Sequence, residues 1–237
     1  MKKMKFNVVA VVVLFISCMS LSAALAKDEP VKSDGSKIAN ASRAIKEISA
    51  LPKRLIPSVL FKEATAIVIV PKISKQAFMV MGGSTDGVLL VRDKLGAWSS
   101  PVFLKLSGGT LGWQIVGDPM DVILLFRNNR QIDALLKGKI TLDTKVTIVP
   151  GRVALTMKGA SKEELEAEIT SYVRSHGAFA EDAVVAGTTL QIDAAANDSF
   201  YAKPKIDAGD IITGKLVNSS ADVTSLQKLL SDYAAAR

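Results

Sequence analysis

The sequence predicts an α+β domain: a curved or barrel-like antiparallel sheet flanked by N-terminal and C-terminal helices. Three observations predict it. Apolar residues at helical spacing gather near the two ends of the chain beyond its leader. Between them, short apolar segments rich in β-branched residues recur about every ten residues, separated by Gly, Pro and Asp, which favours antiparallel neighbours. Helices confined mainly to the ends exclude a regular βαβ alternation. At 237 residues, 49% hydrophobic, 22% charged and with a mean hydropathy of +0.27, the chain is too apolar for disorder and too charged for a multi-span membrane protein. It is long enough to bury a large core.

From Lys37, the residues Ile38, Ala41, Ile45 and Ile48 recur at spacings of three and four, an amphipathic helix that Pro52 ends. Its other face carries Lys37, Arg43 and Lys46. Pro57 opens a second short helix through Ala64, because a missing N–H costs nothing in a first turn. The period then changes. Residues 65–70 form a β-branched run stopped by Pro71, and 76–81, 87–92, 102–106, 113–116, 120–126, 145–149 and 153–157 continue as strands. One helix interrupts them, over 130–137 with Gly138 as its cap.

Residues 161–174 carry two conflicting signals. Ser161-Lys162-Glu163-Glu164 has the form of a capping box, yet Leu165, Ala167, Ile169, Ser171 and Val173 then alternate with Glu166, Glu168, Thr170, Tyr172 and Arg174. The alternation predicts a strand after at most one helical turn, with the second set on the other face. A strand over 188–192, short helices over 194–201 and 207–213, and a last helix over 221–233 complete the order. Val223, Leu226, Leu229, Leu230 and Tyr233 form the buried face of that last helix, with Ser220 as its cap. No linker or repeat divides residues 37–237, which are read as a single domain.

Residues 1–26 read as a secretory signal peptide: Lys2, Lys3 and Lys5, an apolar stretch from Val8 to Ile16, and the small-residue site Ala24-Leu25-Ala26. Two alternatives stand beside cleavage after Ala26. One is a retained membrane anchor; the other is a lipoprotein box at Phe15-Ile16-Ser17-Cys18 that would leave a lipidated Cys18. Residues 27–36 read as a flexible leader. Removing the signal peptide takes three lysines from a net charge of +7, leaving +4, and takes the only cysteine. A thiol-free exported chain suits the oxidising periplasm, and so modest a charge argues against a nucleic-acid footprint.

One histidine and one cysteine exclude cysteine zinc sites, iron–sulfur clusters, an intramolecular disulfide and any multi-histidine metal centre. No cofactor is called for. Gly209 to Lys215 has the spacing of a phosphate loop, but Leu216 stands where a Ser or Thr must meet magnesium. Gly108-Gly109-Thr110-Leu111-Gly112 mimics a nucleophile elbow but leads into a strand, so it reads as a turn. His176, beside Ser171, Ser175, Glu181 and Asp182, is the one histidine base a hydrolase could use, although Ser175-His176-Gly177 reads as an exposed turn. Asp118 and Asp121 flank a Gly-Asp-Pro turn, where Asp has a backbone-bonding role of its own.

The basic residues of the first two helices form a further group: Lys37, Arg43, Lys46, Lys53, Arg54 and Lys62, then Lys72 and Lys75 around the turn after the first strand. Cations beside an apolar helical face are what an anionic membrane surface requires, with the side-chain stems along acyl chains and the charges at phosphates. An ordinary solvated helix face has the same composition, so the pattern alone leaves both readings open.

Ordered motifs take the reading further. Ile56-Pro57-Ser58-Val59-Leu60 followed by Ala64 to Pro71, Gly82-Gly83 with Gly87-Val88-Leu89, Trp98-Ser99-Ser100-Pro101, Gly112 to Gly117, Ser171 to Phe179 and Asn197 to Tyr201 together resemble the SYLF-domain family over about residues 51–201. That family comprises lipid-binding domains of eukaryotic trafficking and actin-associated proteins and of exported bacterial proteins. The sequence departs from it at Glu181-Asp182, at Val149-Pro150-Gly151 and at Ser84-Thr85-Asp86. The resemblance implies phospholipid or phosphoinositide binding without catalytic machinery. In eukaryotic members it implicates basic and apolar residues near the domain's start, which carries over to Lys53, Arg54 and Lys62. The shared Gly, Pro and aromatic residues, Trp98, Tyr172 and Phe179 among them, read as fold determinants.

The combined expectation is a non-enzymatic protein of the bacterial envelope that binds anionic phospholipid through Lys46, Lys53, Arg54, Lys62, Lys72 and Lys75. The alternatives are a structural or protein-interaction module with an unidentified partner, and a hydrolase using His176.

Overall fold

The computed structural model describes residues 34–50, 56–74, 83–108, 119–142, 147–149, 167–175, 178–179 and 187–235. Helix α1 spans Asp34–Ser49, beginning inside the segment read as leader, and α2 spans Ser58–Glu63. The strands are β1 (Ala66–Ile73), β2 (Ser84–Val91), β3 (Val102–Gly108), β4 (Met120–Phe126), β5 (Lys139–Thr141), β6 (Thr147–Val149), β7 (Ile169–Ser175), β8 (Ala178–Phe179) and β9 (Thr188–Ile192). Helix α3 (Arg130–Leu136) lies between β4 and β5; α4 (Ala194–Phe200), α5 (Ala208–Ile212) and α6 (Ala221–Ala235) follow β9. The strands expected over 76–81, 113–116 and 153–157 lie outside the described residues.

Seven antiparallel strands in the order β5-β9-β3-β2-β1-β4-β7 curl into a half-barrel, the curved sheet the sequence predicted. The short strand β6 departs from the expected antiparallel pairing by adding to β7 in parallel. The centre of the sheet is buried on both faces. Ala66, Val68, Val70, Val122, Leu124 and Val173 face a core completed by Ile132 and Leu135 of α3 and Ile211 of α5. Ile67, Ile69, Val88, Ile123, Leu125 and Tyr172 face a second core made by α1, α2 and α6. This two-sided burial is why β1 and β4 read as continuous apolar runs rather than alternating ones, although their neighbours are antiparallel.

Pro71 does not stop β1. The strand continues to Ile73 through a register irregularity between Val70 and Ile73, with Lys72 at φ 54°. A proline cannot donate to a ladder and is accommodated at a bulge, where the pairing is already interrupted. In β7 the alternation is real, but its second face is not solvated. Thr170, Tyr172 and Arg174 are buried, because this face lies on the side that the terminal helices cover.

The first and last helices pack on one another and on the same face. The Phe61 and Tyr233 rings approach to 4.3 Å between centroids, and the Tyr233 hydroxyl donates to the Ile56 carbonyl at 2.9 Å. Val223, Leu226, Leu230 and Tyr233 form the buried stripe of α6, with Leu229 partly buried at its margin. Among the described residues, no helix is long and apolar enough to cross a membrane.

Candidate functional site

Of the six cations the sequence singles out, Lys53, Arg54 and Lys75 lie outside the described residues. Lys46 lies on α1, Lys62 on α2 and Lys72 at the bulge of β1; all three are exposed. No carboxylate among the described residues forms an ion pair with them. They do not make one patch. Lys62 precedes the start of β1 and Lys72 lies at its far end, a separation of about 20–25 Å at roughly 3.3 Å per residue. Lys46 belongs with Lys72, because its helical neighbours Arg43 and Glu47 reach the same end of the sheet.

That end is held by a buried ion network the sequence reading passed over. Asp121 in β4, 4% exposed, lies opposite Arg174 in β7, 7% exposed. Arg43 Nη2 donates to Asp121 Oδ1 and Arg43 Nη1 to Glu47 Oε2, both at 2.8 Å. Arg174 Nη2 donates to both carboxylates, and the backbone N–H of Lys72 donates to Asp121 Oδ1 at 2.9 Å. Two guanidiniums against two carboxylates neutralise one another and tie α1, the bulge, β4 and β7 together. Burial pushes the Glu47 carboxyl upward, but hydrogen bonds and charge from Arg43 and Arg174 outweigh it and hold the group below its ordinary value.

Arg43 and Lys37, expected on the solvated basic face, therefore belong to the interior chemistry. Lys37 Nζ lies 3.6 Å from Asp86 Oδ2 and 5.3 Å from the Phe103 ring centroid. Asp121, read as flanking a turn at the head of the 120–126 strand, lies in that strand as expected, but its carboxylate meets two arginines rather than the turn backbone. The visible signals for this network were Arg43 and Glu47 at i,i+4 and two opposite charges within otherwise apolar strands.

At the other end of β1, a cleft of about 530 Å³ opens between α2, α6 and the connection after β2, lined by Ser58, Lys62, Arg92, Gly96 and Ser231. The Arg92 guanidinium lies over the Trp98 ring at 4.3 Å, and its Nη1 donates to the Lys62 carbonyl at 2.6 Å. Burial lowers its pKa, and no described carboxylate pairs with it. Its Nε is buried without a hydrogen-bond partner among the described residues. Sequence reasoning missed Arg92, which stands at the end of a predicted strand with nothing in its spacing to mark it.

The motif residues act in the fold. Trp98 is buried, and Gln227 Nε2 of α6 donates to the Trp98 and Ser99 carbonyls at 3.0 Å. Asn197, 1% exposed, accepts from the Phe103 N–H at 2.9 Å and donates to the Phe103 carbonyl at 3.0 Å, fastening α4 to β3. The Tyr201 hydroxyl donates to the Pro101 carbonyl at 2.7 Å. A Cβ on Gly87 would come within 2.7 Å of Leu104 Cδ1, so the glycine leaves room for the Leu104 side chain from the neighbouring strand. Gly209 to Lys215 is a short helix and turn in which Lys215 Nζ pairs with Asp210 at 3.0 Å. His176, Asp118 and the 109–112 turn lie outside the described residues, as does the Phe179 side chain. Among the described residues, no group of three or more His, Cys, Asp or Glu could hold a metal ion.

The described residues form an α+β domain, a curled half-barrel sheet with helices from both ends of the chain packed on one face. The family described as "Ysc84: Las17-binding protein actin regulator" matches residues 107–233, more than half of the chain, and the chain belongs to this family. The match starts in β3, downstream of the Ile56 to Pro71 and Trp98 to Pro101 motifs, and continues past Tyr201 through α6. The chain is similar to the SH3 domain-containing YSC84-like protein 1 of Rattus norvegicus, 27% identical over 206 residues, covering 86% of this chain and 59% of that protein. The Homo sapiens protein of the same name is 27% identical over 187 residues, 78% of this chain and 54% of that one. Protein YSC84 of Saccharomyces cerevisiae is 25% identical over 169 residues, 70% and 34% respectively. The chain thus spans between about a third and three fifths of these relatives' length.

Proposed function

We propose that this domain binds the surface of anionic phospholipid membranes and catalyses no reaction there, acting in the bacterial envelope after export directed by residues 1–26. The observation that carries the reading is the sorting of cations. Arg43, Arg174, Lys37 and Arg127 are matched by carboxylates within the fold, whereas Lys46, Lys62 and Lys72 are exposed and Arg92 half-buried, all without a described carboxylate partner. Cations that a fold leaves unmatched on its surface favour an anionic surface, each contributing about 1 kcal/mol near anionic lipid. Flotation of the full chain with phosphatidylcholine vesicles, with and without phosphatidylglycerol, tests this. Binding to the anionic vesicles alone, weakened by salt and without release of fatty acid, is expected. Equal binding to neutral vesicles would remove the charge mechanism, and released fatty acid would revive the hydrolase using His176.

A second reading has its own support. The family is described as Las17-binding, and the animal relatives are named as SH3 domain-containing, so a protein partner is the alternative use of the same surface. Absence of binding to every vesicle would favour it.

A further inference from the structure

We infer that the turn after β2 is a membrane wedge: Leu95 enters the acyl layer while Arg92 and Lys62, in the cleft beside it, receive the phosphate of a lipid headgroup. The inference rests on the lipid-binding reading and adds to it the place and depth of contact. Leu95 is 94% exposed, and the one other exposed large apolar side chain among the described residues, Val217, is 60% exposed. The turn holding it is braced. Asp93 Oδ1 accepts from the Leu95 N–H at 2.9 Å and the Ala97 N–H at 2.8 Å, the Asp93 N–H donates to the Ala97 carbonyl at 2.8 Å, and Gly96 takes φ +89°. Directly below, Arg92 and Trp98 pair in a β-bridge. A leucine held in water by an ordered turn loses little conformational freedom when it inserts.

The surroundings select lipid over a protein groove. The Asp93 carboxylate is occupied by two backbone N–H groups, and Glu63 on α2 is paired with Arg127 at 2.9 Å. Lys94 and Lys62 are exposed on either side. Arg92 is a half-buried guanidinium held by an indole ring and a carbonyl, with no counter-ion among the described residues, and its position in the cleft suits it to accept an anion from outside. An exposed apolar tip next to Lys94, with Arg92 and Lys62 in the adjoining cleft, matches the interface of an anionic leaflet, with phosphates at the level of the cleft and acyl chains beyond. Val217 lies at the same end of the molecule: the next residue, Asn218, donates its N–H to Ser100 Oγ at 2.9 Å in the connection that carries Leu95.

The test uses the full chain with phosphatidylcholine–phosphatidylglycerol vesicles and two substitutions at an exposed position that leave the core untouched. Leu95→Trp should shift its emission to the blue on binding and be quenched by lipids brominated on the acyl chain. Leu95→Asp should weaken vesicle binding by about tenfold or more, the order expected for losing one buried leucine, and Lys62→Gln by roughly fivefold. Wild-type binding with Leu95→Trp still in water and Leu95→Asp unaffected would overturn the wedge while leaving lipid binding intact. Failure of the wild-type chain to bind any vesicle would overturn both. A blue shift that grows with protein concentration in the absence of lipid would overturn the wedge in favour of contact between copies of the chain.

Discussion

The two ends of β1 use the same residue types for opposite purposes. At the Ile73 end, Arg43 and Arg174 meet Asp121 and Glu47, and their charge is consumed in holding α1 against β4 and β7. At the Ala66 end, Arg92 and Lys62 flank an open cleft with no described carboxylate to neutralise them. What separates the two groups is the presence of a described carboxylate partner in the folded chain. Residue type and position on an amphipathic helix do not decide it: Arg43 and Lys46 are three residues apart on α1 and fall into different classes.

The largest effect that sharpens this contrast is expected at Asp121. Asp121→Ala leaves half-exposed Glu47 as the one described carboxylate facing both Arg43 and Arg174, an unbalanced positive charge at a buried site, and should cost about 3–5 kcal/mol in urea unfolding, the range for removing one partner of a buried ion pair. Lys62→Ala, at the open end, should stay within roughly 0.5 kcal/mol of wild type in the same experiment. A similar loss for both would erase the distinction between the ends. Next in size, Lys62→Glu should weaken flotation with anionic vesicles by about tenfold or more, at about 1 kcal/mol per unit of charge near the lipid, while Lys46→Glu and Lys72→Glu at the far end of β1 weaken it less and all three leave the unfolding midpoint nearly unchanged.

The smallest expected effect is on pH dependence. Glu47 is held below its ordinary value in the folded chain, so its contribution to stability is present above the unfolded value near 4.5 and is lost as pH falls through the lower folded value. Glu47→Gln should therefore lower stability modestly at neutral pH and flatten the decline below about pH 4.5, as read from unfolding midpoints across that range. An unchanged acid limb would mean that other carboxylates carry the acid sensitivity.

Much of the architecture was legible in the sequence because it follows from local periodicity. The strands 120–126 and 188–192, the α3 segment and the buried stripe of α6 emerged near their observed positions, since each depends on apolar spacing and on punctuation by Gly or Pro. Pro71 misled because a bulge, formed only when β4 pairs alongside, absorbs a residue that would otherwise end a strand. The alternation put Thr170, Tyr172 and Arg174 on one face but did not say what covers it: whether an alternating strand meets water depends on what the chain ends cover. The candidate site was legible only in part. Exposed Lys46, Lys62 and Lys72 were named, but Arg43 and Lys37 were grouped with them, because Asp121 and Asp86 are distant in sequence and adjacent only after folding. Arg92 had no local signal. Its lack of a counter-ion is a property of the three-dimensional surroundings.

Hydrogen–deuterium exchange of the full chain, with and without vesicles of phosphatidylcholine and phosphatidylglycerol, tests most directly whether the Leu95 turn and the Arg92–Lys62 cleft form the membrane face. Slower exchange on anionic vesicles is expected in residues 58–63 and 92–98, with no change in β5 and α3. Protection confined to β5 and α3, or bound protein whose exchange at 58–63 and 92–98 is unaltered, would contradict the account.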